Sequence, residues 1–194
     1  MDKVSYALGV IIGNNIASSG LDKVDVASFS KAVEAVINKG ELSMTAAEAN
    51  DIINDYFAQL QGERFEKNIR EGKEFLEANK GKAGIVALPS GLQYEILKEG
   101  NGKTPTMTDQ VTCHYHGTLI DGTVFDSSVQ RGTPATFGVN QVIKGWTEAL
   151  QLMPVGSKWR LYIPSDLAYG ESGAGQAIEP YSTLIFDVEI LDIV

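Results

Sequence analysis

Cysteine is nearly absent from this chain. Cys113 is the only one, so no disulfide can close within it. That fits a reducing compartment, but many exported proteins also lack disulfides. Histidine is almost as scarce, with His114 and His116 alone. The two stand two apart on a predicted strand and share a face, with Tyr115 and Cys113 on the other. No Asp or Glu is spaced to complete a ligand set, so no metal is expected, and no other cofactor. Gly-x-Ser-x-Gly is missing, which removes the serine-hydrolase elbow. The stretch Gly170-Glu171-Ser172-Gly173-Ala174-Gly175 lacks the Lys-Ser/Thr ending and following helix of a phosphate loop. It reads instead as a mobile surface loop. Basic charge is also short: 16 Lys and Arg face 25 Asp and Glu, a formal net charge of -9. A nucleic-acid footprint is clustered and basic, so no nucleic-acid partner is expected. No apolar run nears the roughly 20 residues that cross a bilayer, so no membrane span is expected. The N-terminus has no charged segment leading into a long apolar one, so no intact secretory leader is read. The expected location is cytoplasmic, with a periplasmic location as the alternative if a leader was removed.

What is present divides into two halves. At 194 residues and 43% hydrophobic content, the chain can bury one medium core or two small ones. In the first half the apolar period is helical. Val4, Leu8, Ile11, Ile12 and Ile16 form one stripe, with Gly9 and Gly13 beside it, a spacing that suits close approach of another helix. Asp25 is an N-cap for a second helix carrying Phe29, Ala32, Val33, Val36 and Ile37. Thr45-Ala46-Ala47-Glu48 is a capping box opening a third helix. No Pro interrupts residues 45–79, so this helix could run about 50 Å at ~1.5 Å per residue. Residues 62–80 carry a thin apolar stripe among many charges and read as a solvated stalk, with Gly62 and Gly72 as candidate bends. Two short apolar helices with no internal cover predict pairing with the same helices of a second chain, a homodimer that buries both copies at once.

In the second half the period changes to two. Residues 92–98, 111–119, 124–126, 135–139, 158–164 and 181–194 alternate as strands, with Asp121-Gly122 as a hairpin turn. Between them Trp146, Ala149, Leu150 and Met153 recur at helical spacing. The fold class expected is α+β: an all-α dimerisation domain with a long linking helix over residues 1–84, then over residues 85–194 an antiparallel β-sheet wrapped on a short helix.

Chemistry in this half rests on aromatics: Tyr115, Phe125, Phe137, Trp146, Tyr169 and Phe186. They could simply fill a core, the commoner use of such rings. Alternatively, Val142-Ile143-Lys144-Gly145-Trp146 could form a pocket floor. Two features disturb the core reading. Asp126 follows Phe125 directly, with Arg131 five residues on, within reach of an ion pair. Tyr169 sits at the mouth of a Gly-rich loop, where its hydroxyl can point inward.

Several short motifs occur in order: His114-Tyr115-His116-Gly117, Asp121-Gly122, Phe125-Asp126-Ser127-Ser128, Val142 to Trp146, Ala168-Tyr169-Gly170, and residues 183–190. Together they resemble an FKBP-type peptidyl-prolyl cis-trans isomerase domain over roughly residues 89–194. The helical half, through Tyr6-Ala7-Leu8-Gly9, Ile12-Gly13 and the long third helix, is similar to the N-terminal domain of the FkpA/Mip-like branch. The resemblance implies a V-shaped homodimer with chaperone activity, acting on proline-containing unfolded or partly folded proteins. It implies Tyr115, Phe125, Asp126 and Tyr169 as catalytic residues. It implies Arg131, Phe137, Val142, Ile143, Trp146, Ile178 and Phe186 as substrate-binding residues. It also implies a pocket that takes macrolide inhibitors of the rapamycin type.

Departures from the family pattern bear on specificity. Ala135 stands where an aromatic is common, so a thinner wall is expected there. Ile178-Glu179-Pro180 replaces a common Ile-Pro-Pro and sets a charge beside the loop, and Gln176-Ala177 is less bulky than in some members. A second function remains in view, a dimeric chaperone or binding module that holds proline-containing chains with little turnover. A fragment of residues 85–194 is expected to keep activity on peptides, with the helical half remote from the site.

Overall fold

The computed structural model describes residues 1–21 and 23–194, and they form two compact units, residues 1–56 and 57–194. The first unit contains helices α1 (Lys3–Ser18) and α2 (Val26–Ile37) and the start of α3 (Ala46–Lys80). The helix starts follow from their caps. The Asp2 carboxylate accepts from the Ser5 N–H at 2.8 Å, and Asp25 accepts from Ala27 and Ser28. Thr45 and Glu48 exchange the two bonds of a capping box, Thr45 N–H to the Glu48 carboxylate at 2.8 Å and Glu48 N–H to Thr45 Oγ1 at 3.2 Å. Neither α1 nor α2 buries any residue in this chain. Leu8, Ile11, Val36 and Ile37 are each more than half exposed, and a Cβ built on Gly9 or Gly13 would meet nothing within 4 Å besides its own helix turn.

The second unit is built on seven antiparallel strands: β1 (Ile85–Ala87), β2 (Gln93–Lys98), β3 (Gln110–Leu119), β4 (Val124–Ser127), β5 (Ala135–Gly138), β6 (Lys158–Ile163) and β7 (Leu184–Ile193). The order across the sheet is β1-β2-β6-β7-β3-β4. β5 pairs with the first half of β3 and β4 with its second half. β1 is too short to show an alternation, which is why the sequence pattern did not reveal it. The last strand begins at Leu184 rather than 181, because Tyr181 takes a left-handed φ of 60° and Ser182 turns back to the Glu179 carbonyl.

One sheet face carries the core. Val111, Cys113 and Tyr115 on β3, Leu161 and Ile163 on β6, and Phe186, Val188 and Ile190 on β7 are all buried. Their alternation with half-exposed residues is the period of a sheet covered on that face. Helix α5 (Lys144–Leu150) lies there, burying Trp146, Ala149 and Leu150. A Cβ on Gly145 would come within 2.5 Å of Ile163 Cγ2, so only glycine allows this close seat.

The opposite face is covered too, contrary to the expectation of a solvated stalk. The second half of α3 packs on it. Phe75 meets Tyr162 at 5.9 Å between ring centroids, and Phe65 meets Tyr181 edge-on at 5.6 Å. Buried Asn79 donates to Gln93 Oε1 at 3.0 Å, and Gln93 donates to the Leu76 carbonyl at 2.8 Å. Gly72 is not a bend. α3 runs through it unbroken, and a side chain there would collide with Thr183.

Candidate functional site

Trp146, the third residue of α5, is 4% exposed. Three rings present their edges or faces to it: Phe186 at 5.2 Å, Tyr115 at 5.6 Å and Phe137 at 5.8 Å, all with interplanar angles above 80°. Edge-to-face pairs of this kind add stability beyond the area they bury. The arrangement is a floor with rising walls, and above it opens a cavity of about 680 Å³. Phe125 closes one side against Phe186 at 5.3 Å and 81°. Both rings sit over Gly117, where any Cβ would lie 2.6 Å from Phe125 and 2.8 Å from Phe186. A glycine on β3 is therefore what lets the walls meet.

One polar cluster stands at the edge of this apolar space. The Tyr115 hydroxyl donates to Asp126 Oδ2 at 2.5 Å, Arg131 pairs with Asp126 Oδ1, and Arg131 Nη2 donates to the Tyr115 hydroxyl at 2.8 Å. Three local features aim these groups. β4 pairs with β3 so that Gly117 stands opposite Asp126. A single helical turn, α4 (Ser128–Arg131), capped by Ser127 and ended by Gly132 at φ 71°, returns Arg131 to the carboxylate. Buried Ser128 accepts from the Tyr115 N–H at 2.7 Å and donates to its carbonyl at 3.2 Å, fixing that residue's backbone. The two histidines face away from the cavity, as the alternation predicts, and are engaged by the same serines, His114 with Ser128 at 3.1 Å and His116 with Ser127 at 2.9 Å.

Burial alone would raise the Asp126 carboxyl. The hydrogen bonds from Tyr115 and Arg131, with the Arg131 charge, outweigh it and hold the group below its ordinary 3.8. Burial, then the bond to Asp126, pushes the Tyr115 phenol above its ordinary 10.0. A depressed carboxylate stabilises its fold above its unfolded value, and that stabilisation is lost as pH falls through the folded value. Activity is therefore expected to be flat from roughly pH 5 to pH 9 and to fall only in stronger acid. A pH–rate profile with a step near neutrality would contradict this. Cys113, buried in the core with its thiol pushed up to about 12, is no nucleophile.

Of the residues singled out from the sequence, Tyr115, Phe125, Asp126, Phe137, Val142, Ile143, Trp146, Tyr169, Ile178 and Phe186 all line the cavity. Arg131 stands behind Asp126 rather than in the lining. The cavity is completed by Gln141 and by Ala174, Gly175, Gln176 and Ala177. The sequence pointed to Gln176-Ala177 only as a departure bearing on specificity and gave Gln141, Ala174 and Gly175 no site role, because an Ala, a Gly or an amide carries no chemical signal on its own. The Gly-rich stretch lies at the surface, as expected, with Glu171, Ser172 and Gly175 exposed, and it is shaped by its own backbone bonds. Ala174 and Ile178 bond each other's backbone at 2.9 and 3.1 Å, and a side chain on Gly173 would strike the Ile178 carbonyl. Ala135 packs against the core and its small side chain does not reach the cavity lining.

Two family models together match most of the chain. Residues 101–191 match that of FKBP-type peptidyl-prolyl cis-trans isomerase, and residues 1–96 that of the domain amino terminal to it. A 22 kDa FKBP-type peptidyl-prolyl cis-trans isomerase of Escherichia coli is 45% identical, over 98% of this chain and 94% of its own length. The outer membrane protein MIP of Legionella longbeachae is 44% identical, over 99% and 85%. The crystal structure of FkpA from Escherichia coli superposes with a TM-score of 0.81 at 34% identity, covering 98% of this chain and 95% of that one.

Proposed function

The chain belongs to the FKBP-type peptidyl-prolyl cis-trans isomerase family and accelerates rotation about X-Pro bonds; from that premise we propose which of its residues act, and how. The observation that carries the reading is the Tyr115–Asp126–Arg131 cluster at the rim of an aromatic-floored cavity.

Rotation about the amide has a barrier of about 20 kcal/mol because it breaks resonance. At the twisted point the nitrogen is pyramidal and the amide has lost much of its charge separation. An apolar cavity destabilises the planar, more polar amide relative to the twisted one, so it lowers the barrier by binding the transition state better. The prolyl ring sits on Trp146, walled by Val142, Ile143, Phe125, Phe137 and Phe186. The Tyr169 hydroxyl makes no hydrogen bond among the described residues, and it donates to a substrate carbonyl. Asp126, kept ionised by Tyr115 and Arg131, supplies the local field at the rotating carbonyl. No bond to the substrate forms or breaks in this scheme, and no cofactor takes part. The same cavity suits macrolides of the rapamycin type, within the 300–1,000 Å³ usual for such ligands.

We assign the reacting groups to residues 85–194 and pairing to the helices before residue 57, with residues 57–84 part of the same compact body as the sheet. The uncovered apolar faces of α1 and α2 support a homodimer through these helices. Two linked pockets raise the effective concentration of one for a chain held by the other, which supports chaperone action on proline-containing, unfolded proteins. The name of the Legionella relative favours the exported alternative, and the cytoplasmic expectation has no such support. No helix among the described residues is long and apolar enough to cross a membrane.

Two measurements test the reading. In a direct assay on a Xaa-Pro peptide the full chain should catalyse isomerisation; binding with no rate gain would favour the dimeric holding module instead. In sedimentation at micromolar concentration it should run as a dimer, and a monomer would remove the pairing role of α1 and α2.

A further inference from the structure

The loop from Tyr169 to Thr183 has two sides. One supplies the cavity wall through Ala174 to Ile178, while Gln176, Ala177, Glu179 and Thr183 line a separate cleft of about 340 Å³ against α3. Asn68 of α3 donates to the Pro180 carbonyl at 2.9 Å and to the Glu179 carboxylate at 3.3 Å, two residues or fewer beyond the lining residue Ile178. Arg64, one turn earlier, lies 3.7 Å from the same carboxylate. Phe65 sets its ring edge-on to Tyr181. Tyr181 holds a left-handed backbone at φ 60° and donates its N–H to the Gly170 carbonyl at 2.8 Å. A non-glycine residue keeps such a conformation only where its surroundings over-determine it. Below it, Gly72 admits Thr183 against the helix backbone.

We propose that Asn68 and Phe65 are positioning residues for the prolyl site: through Pro180 and Tyr181 they hold Ile178 in the cavity wall and so set the affinity for the prolyl segment. The proposal rests on the cavity being the prolyl site. It gives the Glu179 departure a reason. The charge beside the loop accepts a hydrogen bond from Asn68 and pairs with Arg64, so the loop's position depends on the helix. Neither α3 residue touches substrate. Each acts on the fraction of molecules whose wall is in place, and apparent affinity falls in proportion to that fraction.

The test uses the full chain with Asn68→Ala, Phe65→Ala, Phe65→Tyr and, as an exposed control on the same helix, Lys73→Ala. Four quantities are read: kcat and KM on a Xaa-Pro peptide, the urea midpoint, and the methyl NMR resonance of Ile178. Asn68→Ala and Phe65→Ala are expected to raise KM about three- to tenfold, the loss of one hydrogen bond or ring contact, while kcat stays within about twofold. Both shift the Ile178 resonance; Phe65→Tyr restores it and Lys73→Ala leaves it in place. A lowered urea midpoint with KM and the Ile178 resonance unchanged would overturn the proposal, since α3 would then be a buttress only. Should Phe65→Ala not fold, Asn68→Ala, a half-buried side chain lost from the surface of the cleft, decides the question by itself. If the unaltered chain shows no turnover, the reading of the cavity fails, and the Ile178 resonance still judges the contact.

Discussion

Asp126→Ala combined with Phe125→Ala is expected to lower kcat/KM about a hundredfold or more on a Xaa-Pro peptide. The two changes act on different parts of the barrier. Phe125→Ala removes the ring that closes the cavity against Phe186 over Gly117, admitting water to a site whose effect depends on excluding it. Asp126→Ala leaves the Tyr115 hydroxyl and Arg131 without their common acceptor and places an uncompensated positive charge at the rim. A hydrogen bond to a charged group contributes about 1.5–3 kcal/mol, roughly ten- to a hundredfold in rate if it acts only in the transition state. Because the side chains adjoin, their effects need not add, and the two single variants measured beside the double give the coupling. Far-UV circular dichroism should be unchanged, since Asp126 is half-exposed and Phe125 only partly buried. A double variant with near-normal turnover would sink the assignment of this cluster to catalysis.

Trp146→Ala should be costlier to the fold than to any single contact. Trp146 is buried among Tyr115, Phe137 and Phe186, and removing such a ring costs about 3–5 kcal/mol, a large part of the roughly 5–15 kcal/mol that holds a domain. Trp146→Phe keeps an edge for each neighbour and should cost less. Trp159, buried on β6 and stacked on Tyr94 of β2 at 4.3 Å, remains as the fluorescent reporter for a urea titration of the isomerase unit. Activity of the alanine variant should fall as well, because the floor and the walls lean on one ring. Loss of turnover with an unchanged urea midpoint would mean that Trp146 serves the substrate alone; a lowered midpoint with full turnover would mean that it serves the core alone.

Much of the site was legible because its residues lie in short local motifs. Phe125-Asp126 and Val142 to Trp146 are contiguous, and strand alternation alone put Tyr115 on the opposite face from both histidines. The pairing of Asp126 with Arg131 was foreseeable from a separation of five residues, although the helical turn that brings them together was not. The wall formed by residues 174 to 177 was legible only at Gln176-Ala177, as a departure from the family pattern. Its contribution is backbone shape and small size, and the Ala174–Ile178 pair that shapes it has no side-chain signature. A fragment beginning at residue 85 looked self-sufficient in the sequence. In the folded chain such a fragment would lack the α3 cover over Tyr162, Thr183 and Gln93.

The sequence by itself determined the fold class, two of the helix caps and, through the resemblance its ordered motifs carry, the reaction class and nearly every ring around the cavity. The fold class and caps follow from residue type and local period, and the motifs are short contiguous runs, all of which a chain carries along its length. Only the tertiary structure decided where the second half of α3 goes. A helical stripe of Phe65, Ile69, Phe75 and Leu76 specifies a face to be buried but not the surface that buries it. That surface is the back of the sheet and the rear of the loop, and the Asn68 contact to Glu179 joins residues 111 positions apart. Sequence-distant polar contacts of this kind depend on register and direction, which no local pattern encodes.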